Sequence, residues 1–560
     1  MKAYVKPILI ALYLASGGAA VAERAGALGP TPGLLLYAGL FALLALALLA
    51  TAWIRPAAVR LVHGLVLAVA AGFLGAYAAV SGDFLHYDAF LTMVGSTDSS
   101  ADALVQHWRP IAGGIAPAIL LFAAIAWPPP RPARLPQPLL IGAAPLAVAL
   151  LAGIFYLRGG DGGRGLPAPF PPLAYAALSA WERAADDVGP RKAVSMRPAA
   201  LDQRRDIVLI VDESVAGHYL DINHPGGARS GLADPPPGIS IYNYGLAASI
   251  THCSLGTNQT LRYGGTREDY RRINAVMPSI WDYARKAGYH TARIDAQLNG
   301  GARGSATMAG ELDGIGTLHQ PGDTPVRDRD MAAADRIAEL TRNGRADFVI
   351  VTKVGAHFPV HDKYPDAFMR YHPALPRGRF LDISDTGSRA GFGGSPQEWR
   401  QYRNAYRNTL EWNVGAFFDR LFAKADLDAA IILYTADHGQ DLHEDGRPGF
   451  TTHCTPAPQP SEGAVPLVVI DPSSGIGWVR NLAANRNRAS HYNIFPTLLA
   501  LMGYKEGDVA PVYGRSLLQK TQDDLTFNAR FHARLGKEPV WVPIDPARLP
   551  SPDPAADAAR

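Results

Sequence analysis

The feature that most constrains this 560-residue chain is an abrupt change of pattern. Apolar runs crowd the positions up to Leu157, whereas nearly all Asp, Glu and His motifs follow Asp206. A chain of this length exceeds one compact core, and the change places at least two domains on it. Five apolar stretches, Pro7 to Ala22, Gly33 to Ile54, Val59 to Val80, Pro110 to Trp127 and Pro138 to Leu157, mostly approach the roughly 20 residues a membrane-crossing helix needs. They predict a bundle of five transmembrane helices over residues 1–157. The first is short and contains Gly17 and Gly18, so it also fits the apolar centre of a signal peptide. The four hydrophobic segments behind it favour an uncleaved anchor.

Basic residues sit in alternate connections: Lys2 and Lys6, then Arg55 and Arg60, then Arg131 and Arg134. By the positive-inside rule these segments are cytoplasmic, and five crossings leave everything after Leu157 outside. In a Gram-negative host this is a multi-pass inner-membrane protein with a periplasmic domain. The connection Gly82 to Arg109 mixes Asp83, His86, Asp88, Asp98 and Asp102 with apolar residues and reads as an amphipathic surface segment. Residues 158–205, rich in Gly, Pro and Arg around an amphipathic stretch, read as an interfacial linker. A net charge of +3 with 18% charged residues gives a nucleic-acid partner no electrostatic support. The membrane segments carry too few ionisable residues for a transport path, so the bundle is an anchor.

Beyond Arg205, apolar β-rich runs alternate with helical patterns: Asp206 to Glu213, Gly288 to Asp295, Asp347 to Val354 and Ala430 to Gly439. That alternation predicts an α/β sheet over 206–520, with a Pro-rich tail over 521–560. The stretch Gln397 to Lys424 is helical, with Tyr406, Leu410, Val414, Phe417 and Leu421 at core spacing. Active sites of such sheets lie at the carboxyl ends of strands. Two strands end in ligand types, one in Glu213 and one in Asp437 and His438, a mixture of oxygen and imidazole that suits zinc or manganese. An isolated Glu213 would more often be a helix cap, and the Thr-Ala-Asp-His-Gly run at the other strand end raises its standing. Asp295, Gln297 and Asn299 after the second strand are pocket-lining or turn residues.

Several segments together resemble the lipid A phosphoethanolamine transferases of the alkaline phosphatase superfamily. They are IVDESVAGHYLDIN from Ile210, ITHCSLGTNQT from Ile250, VGAHFPVHDKYPDAF from Val354, TADHGQDLHEDG from Thr435, THCTPAPQPSEGAVPLVVI from Thr452 and SHYNIFPTLLALMGY from Ser490. Five amino-terminal membrane helices also belong to that family's architecture. The resemblance implies a sulfatase-like catalytic domain holding Zn2+, with Mn2+ as the alternative, through Glu213, Asp437, His438 and the oxygen of a hydroxyl nucleophile. It further implies that His357 and His453 form a second site for substrate phosphate or a second metal. The family nucleophile is a Thr in a Thr-x-x-Ser-Val-Pro stretch. Thr251 and Ser254 reproduce its Thr-x-x-Ser part, which makes Thr251 the expected nucleophile, and Leu255 and Gly256 replace Val-Pro, which keeps Ser254 open.

The implied reaction moves phosphoethanolamine from phosphatidylethanolamine, through a covalent enzyme intermediate, to lipid A or another envelope glycan. Rivals on the same frame are a phosphoglycerol transferase, a phosphodiesterase and a sulfatase. The last is weakened because Cys253 is followed by Ser-Leu-Gly-Thr rather than the Pro-x-Arg that accompanies formylglycine. A non-catalytic membrane-anchored binding protein is the rival from another class. The two cysteines, Cys253 and Cys454, leave one bridge open, and a spectator role ranks first for Cys454. His361 has no family support, and His491 reads as a capping or packing residue.

Overall fold

The computed structural model describes residues 5–81, 84–95, 100–129, 135–185, 190–201, 204–298, 307–308, 310–357, 360–377, 394–447, 451–455, 457–472, 477–531 and 538–552. The chain divides into two compact units, one spanning Met1–Asp187 and one beginning at Val188.

The first unit is helical: α1 Val5–Ser16, α2 Gly18–Leu28, α3 Pro32–Ala52, α4 Ala57–Ser81, α5 Tyr87–Gly95, α6 Ser100–Ala126, α7 Gln137–Arg158 and α8 Phe170–Ala185. Three segments are long and apolar enough to cross a membrane: Pro32–Ala52, Ala57–Val80 and Gln137–Arg158. A fourth is reached if α1 and α2 act as one span bent by 57°. Among the described residues, then, three or four spans are found, and the expected five are not confirmed. The reason is local. Gly17 interrupts the first stretch, where a residue without Cβ weakens a helix, and the apolar part of α6, Ile111–Ala126, is short of a full crossing. The expected surface segment is in part α5, while the residues from Ser100 onward continue straight into α6; residues 82–83 and 96–99 lie outside the described set. Lys6 is buried and donates to the Ala52 and Ile125 carbonyls at 2.6 and 3.1 Å, which ties α1 to the ends of α3 and α6.

The second unit is built on an eight-stranded sheet. Its strands are β1 Asp206–Asp212, β2 Ile241–Ala248, β3 His290–Asp295, β4 Thr317–His319, β5 Asp347–Thr352, β6 Ala430–Ala436, β7 Ala464–Ile470 and β8 Ala489–Ser490, in the order β4-β3-β5-β1-β6-β7-β2-β8. β7 runs antiparallel to both neighbours, β6 and β2, and the other pairings are parallel. The four strands anticipated from the apolar runs are β1, β3, β5 and β6. Both faces of β1, β6 and β7 are fully buried, which is why these strands read as unbroken apolar runs rather than alternating ones. A short antiparallel pair, β9 Thr526–Asn528 with β10 Trp541–Pro543, falls in what had read as a featureless tail.

The expected long helix is present as Pro396–Leu410, a π-helical turn Glu411–Ala416 and Phe417–Lys424. Its anticipated core residues Tyr406, Leu410, Val414, Phe417 and Leu421 are fully buried. The π turn has a local consequence. It brings the Asn413 carbonyl onto the Lys353 ammonium and the Asn413 amide onto the Gly355 carbonyl at 2.5 Å.

Candidate active site

Parallel pairing aligns the carboxyl ends of β1, β3, β5 and β6 along one sheet edge, with Asp212 opposite Ala436 in register. The residues that follow these two, Glu213 and Asp437, consequently emerge side by side. Glu213, Asp437 and His438 are buried, and one ligand atom from each lies within 4.8 Å of the others. β2 ends at the same edge and leads through Thr251 to helix α9, Ser254–Tyr263.

The cluster is held rigidly. The Asp437 Oδ1 accepts from the Ser214 amide at 3.0 Å and the His438 amide at 2.8 Å. Glu213 Oε2 accepts from Gln297 Nε2 at 2.9 Å, and Glu213 Oε1 from the Ser214 hydroxyl at 2.9 Å. Ser214 adopts a φ of 60°, an uncommon conformation for a residue with a side chain, and Tyr406 pins it by donating to its carbonyl at 2.8 Å. Gly355, with φ of 54°, allows the β5 loop to lie against this turn, since a Cβ there would stand 2.3 Å from Asp212 Oδ1 and 2.5 Å from the Glu213 carbonyl.

Beneath the cluster lies a buried charge network that the strand pattern did not reveal. Lys353 Nζ donates to Asp212 Oδ2 at 2.6 Å, and Asp212 also accepts from the Tyr434 hydroxyl at 3.1 Å and the Glu213 amide at 3.1 Å. Asp330 completes it by accepting from the Val354 and Gly355 amides at 2.7 and 2.9 Å. The available signal was a lysine closing an otherwise apolar strand run, because a buried cation requires a partner.

The residues present fit a divalent cation. His438 Nδ1 donates to the Gly439 carbonyl at 2.8 Å, which turns its Nε2 toward Glu213 Oε1 at 3.5 Å and Asp437 Oδ2 at 3.7 Å. Asp437 Oδ2 is buried with no hydrogen-bond partner among the described residues. The electrostatics agree. Burial and then the Glu213 charge push Asp437 up to about 7. Burial alone would lower His438, yet Asp437 and Glu213 carry it up to about 10. Burial works to raise Glu213, and the His438 hydrogen bond with the charges of His357, His438 and His453 holds it well below the usual range. Two buried carboxylates facing one imidazole is the donor set of a zinc-type site.

The two candidate hydroxyls part company. Ser254 Oγ lies 3.3 Å from Glu213 Oε1 and 3.2 Å from His438 Nε2, at the first turn of α9. The Thr251 hydroxyl is buried 3.4 Å from His252 Nδ1, while its backbone is fixed by Ser249 and Thr257. Gly256, standing where the family pattern has Pro, permits this packing, for a Cβ there would meet the Thr251 methyl at 2.9 Å and the Phe531 ring at 2.8 Å. The α9 N-cap, Cys253, makes no side-chain cap hydrogen bond, so its own side chain leaves the first amides of the helix open.

His453 stacks on His438 with ring centroids 4.3 Å apart. His357 is exposed at the end of the β5 loop and within electrostatic reach of Glu213 and His453. Cys253 and Cys454 are bonded, which replaces the spectator role expected for Cys454. The bridge joins the residue before Ser254 to the residue after His453. His252 adds a second tie, with Nε2 donating to the Thr455 carbonyl at 3.0 Å and its own carbonyl accepting from the Cys454 amide at 3.1 Å. His491 is a packing residue whose Nε2 donates to the Thr435 hydroxyl at 2.8 Å, that hydroxyl donating in turn to the Pro466 carbonyl at 2.7 Å, and His361 is buried.

A mixed sheet with acidic and imidazole side chains clustered at the ends of adjacent strands fits a sulfatase-like domain. The sulfatase family model matches residues 205–504, and the chain belongs to that family, within the alkaline phosphatase superfamily. No curated protein matches the chain in sequence. Among solved structures, it is similar to the integral membrane protein lipooligosaccharide phosphoethanolamine transferase A from Neisseria meningitidis, with a TM-score of 0.61 at 17% identity, covering 89% of this chain and 96% of that one. The zinc complex of the periplasmic domain of EptC from Escherichia coli aligns with a TM-score of 0.48 at 16% identity, over 65% of this chain and 99% of that domain. The first likeness extends the shared fold to the helical unit as well as the sulfatase-like one.

Proposed function

We propose that this protein is a metal-dependent transferase that moves phosphoethanolamine from phosphatidylethanolamine to an envelope acceptor such as lipid A, with Ser254 as nucleophile. The observation that carries the reading is the convergence of Glu213, Asp437, His438 and the Ser254 hydroxyl at one buried point. The Neisseria protein of the same fold is by name a phosphoethanolamine transferase, and the apolar helices supply a membrane anchor for an enzyme acting on lipids. An inner-membrane location with the second unit in the periplasm rests on the basic connections together with five crossings, and the Cys253–Cys454 bridge suits that oxidising compartment.

Glu213, Asp437, His438 and Ser254 Oγ would hold the ion, zinc or manganese, which when bound lowers the pKa of a hydroxyl and neutralises charge on a phosphodiester. The protein groups do the rest. Gln297 and Ser214 fix both carboxylates before substrate arrives. Ser254 attacks phosphorus in line, diacylglycerol departs with a proton, and the phosphoethanolamine remains as a serine ester. The uncapped first turn of α9 presents amides to the phosphoryl oxygens as their charge grows. His357 and His453 stabilise the phosphate and carry the leaving-group proton. The acceptor hydroxyl then displaces Ser254 by the reverse of these events.

The test is mass spectrometry of the full-length protein mixed with phosphatidylethanolamine. A phosphoethanolamine adduct on the peptide bearing Ser254 is expected. An adduct on Thr251 moves the nucleophile back to that residue. Diacylglycerol release with neither an adduct nor a modified acceptor would identify a hydrolase instead.

A further inference from the structure

Tyr406 is spaced as a core residue of the helix Pro396–Leu410, and its ring is fully buried and packed edge-on with Tyr219, the centroids 5.3 Å apart. Its hydroxyl does something that apolar packing does not require. Oη accepts from the Ala216 amide at 2.8 Å and donates to the Ser214 carbonyl at 2.8 Å, so one phenol serves two backbone groups of the turn that leaves β1. Ser214 and Ala216 are fully buried, and buried backbone groups depend on a protein partner of this kind.

Both carboxylates of the cluster hang on that turn. The Ser214 amide donates to Asp437 Oδ1 at 3.0 Å, and the Ser214 hydroxyl donates to Glu213 Oε1 at 2.9 Å. Ser214 reaches the two acids from a backbone with φ of 60°. That is the left-handed region, which a residue with a Cβ leaves unless its surroundings hold it there. Tyr406 supplies the hold from a point 192 residues further along the chain, on a helix that contributes none of the three clustered side chains. A change confined to the Tyr406 hydroxyl therefore reaches Glu213 and Asp437 together.

We infer that Tyr406 is a positioning residue for the metal site: by clamping Ser214 in the left-handed conformation, its hydroxyl sets the placement of the Glu213 and Asp437 carboxylates and hence the affinity for a divalent ion. This rests on the metal reading of the cluster and adds to it a residue that touches neither ion nor substrate. Loss of a group that orients a metal ligand costs roughly 10- to 100-fold in affinity. Tyr406 acts one bond further out, on two ligands at once.

Competition for zinc between a chromophoric chelator and the detergent-solubilised full chain measures that affinity, with Asp437→Asn defining the zinc bound elsewhere on the protein. Tyr406→Phe keeps the ring and its packing and removes only the hydroxyl. It should weaken zinc binding roughly 10- to 100-fold at a temperature where near-ultraviolet circular dichroism shows the fold retained. Tyr283→Phe removes a buried hydroxyl of the same kind, 3.1 Å from that of Tyr513 and packed among Phe495 and Tyr504. Its zinc affinity should stay within about twofold of wild type, as for a site with no shared partner. A role in stability alone would lower the unfolding temperature of both variants and the zinc affinity of neither. Ser214→Ala keeps the clamp and loses the bond to Glu213, so a smaller loss of affinity is expected, and it tests the turn even if Tyr406→Phe does not fold. Wild-type affinity in Tyr406→Phe or in Ser214→Ala overturns the inference and leaves the metal reading standing. Equal zinc binding by wild type and Asp437→Asn overturns both.

Discussion

At the residue scale, the proposed chemistry turns on the position of one hydroxyl. Ser254 lies against Glu213 and His438, and Thr251 against His252. Ser254→Ala is expected to lower phosphoethanolamine transfer by on the order of 10³-fold or more, as removal of a covalent nucleophile does. Thr251→Ala should keep transfer within about tenfold and cost on the order of 1 kcal/mol of stability, readable by thermal unfolding. Lys353 supplies a second prediction. Its ammonium is fully buried against a fully buried Asp212, so Lys353→Met strands a carboxylate and should destabilise the second unit by about 3–5 kcal/mol. Glu213 follows Asp212 directly, so metal content should fall with it. Thr251 was the sequence expectation because a motif offset by three residues leaves both hydroxyls eligible. Only the start of α9 separates them.

At the scale of elements, the site is a meeting of strand ends with one helix start and one loop. Cys253–Cys454 fastens the helix to the loop across 201 residues of chain. The double variant Cys253→Ser with Cys454→Ser should lose roughly 2–5 kcal/mol of stability. Transfer should fall further than stability explains, because the covalent tie between the residues flanking Ser254 and His453 is lost and the hydrogen bonds of His252 must hold the two segments together. Equal activity at a temperature well below unfolding would show that the bridge merely stabilises. The strands themselves were legible, since buried parallel β1 and β6 need continuous apolar runs. β2, β4, β7, β8 and the sheet order were not, because pairing partners and direction are set by contacts remote in sequence.

At the scale of the whole molecule, the proposed metal site links ion binding to folding. An ion held about 100-fold above its dissociation constant adds about 2.7 kcal/mol to folding. Chelation should therefore lower the unfolding temperature and abolish transfer, with zinc or manganese restoring both, whereas Asp437→Asn should be insensitive to chelation. The membrane half shows the opposite balance of legibility. Five apolar stretches are plain in sequence, yet hydropathy does not register that Gly17 divides the first or that α6 begins as far back as Ser100.

The sequence by itself determined the two-part plan and the strands that end in Glu213, Asp437 and His438, the side chains that cluster. Apolar periodicity and residue chemistry are local properties written in each segment. Tertiary structure alone decided which hydroxyl meets those side chains, that Cys253 reaches Cys454, and that Lys353 pairs with Asp212 beneath Glu213. Each of these is a distance between atoms far apart along the chain, fixed only when the sheet brings its strand ends to one edge.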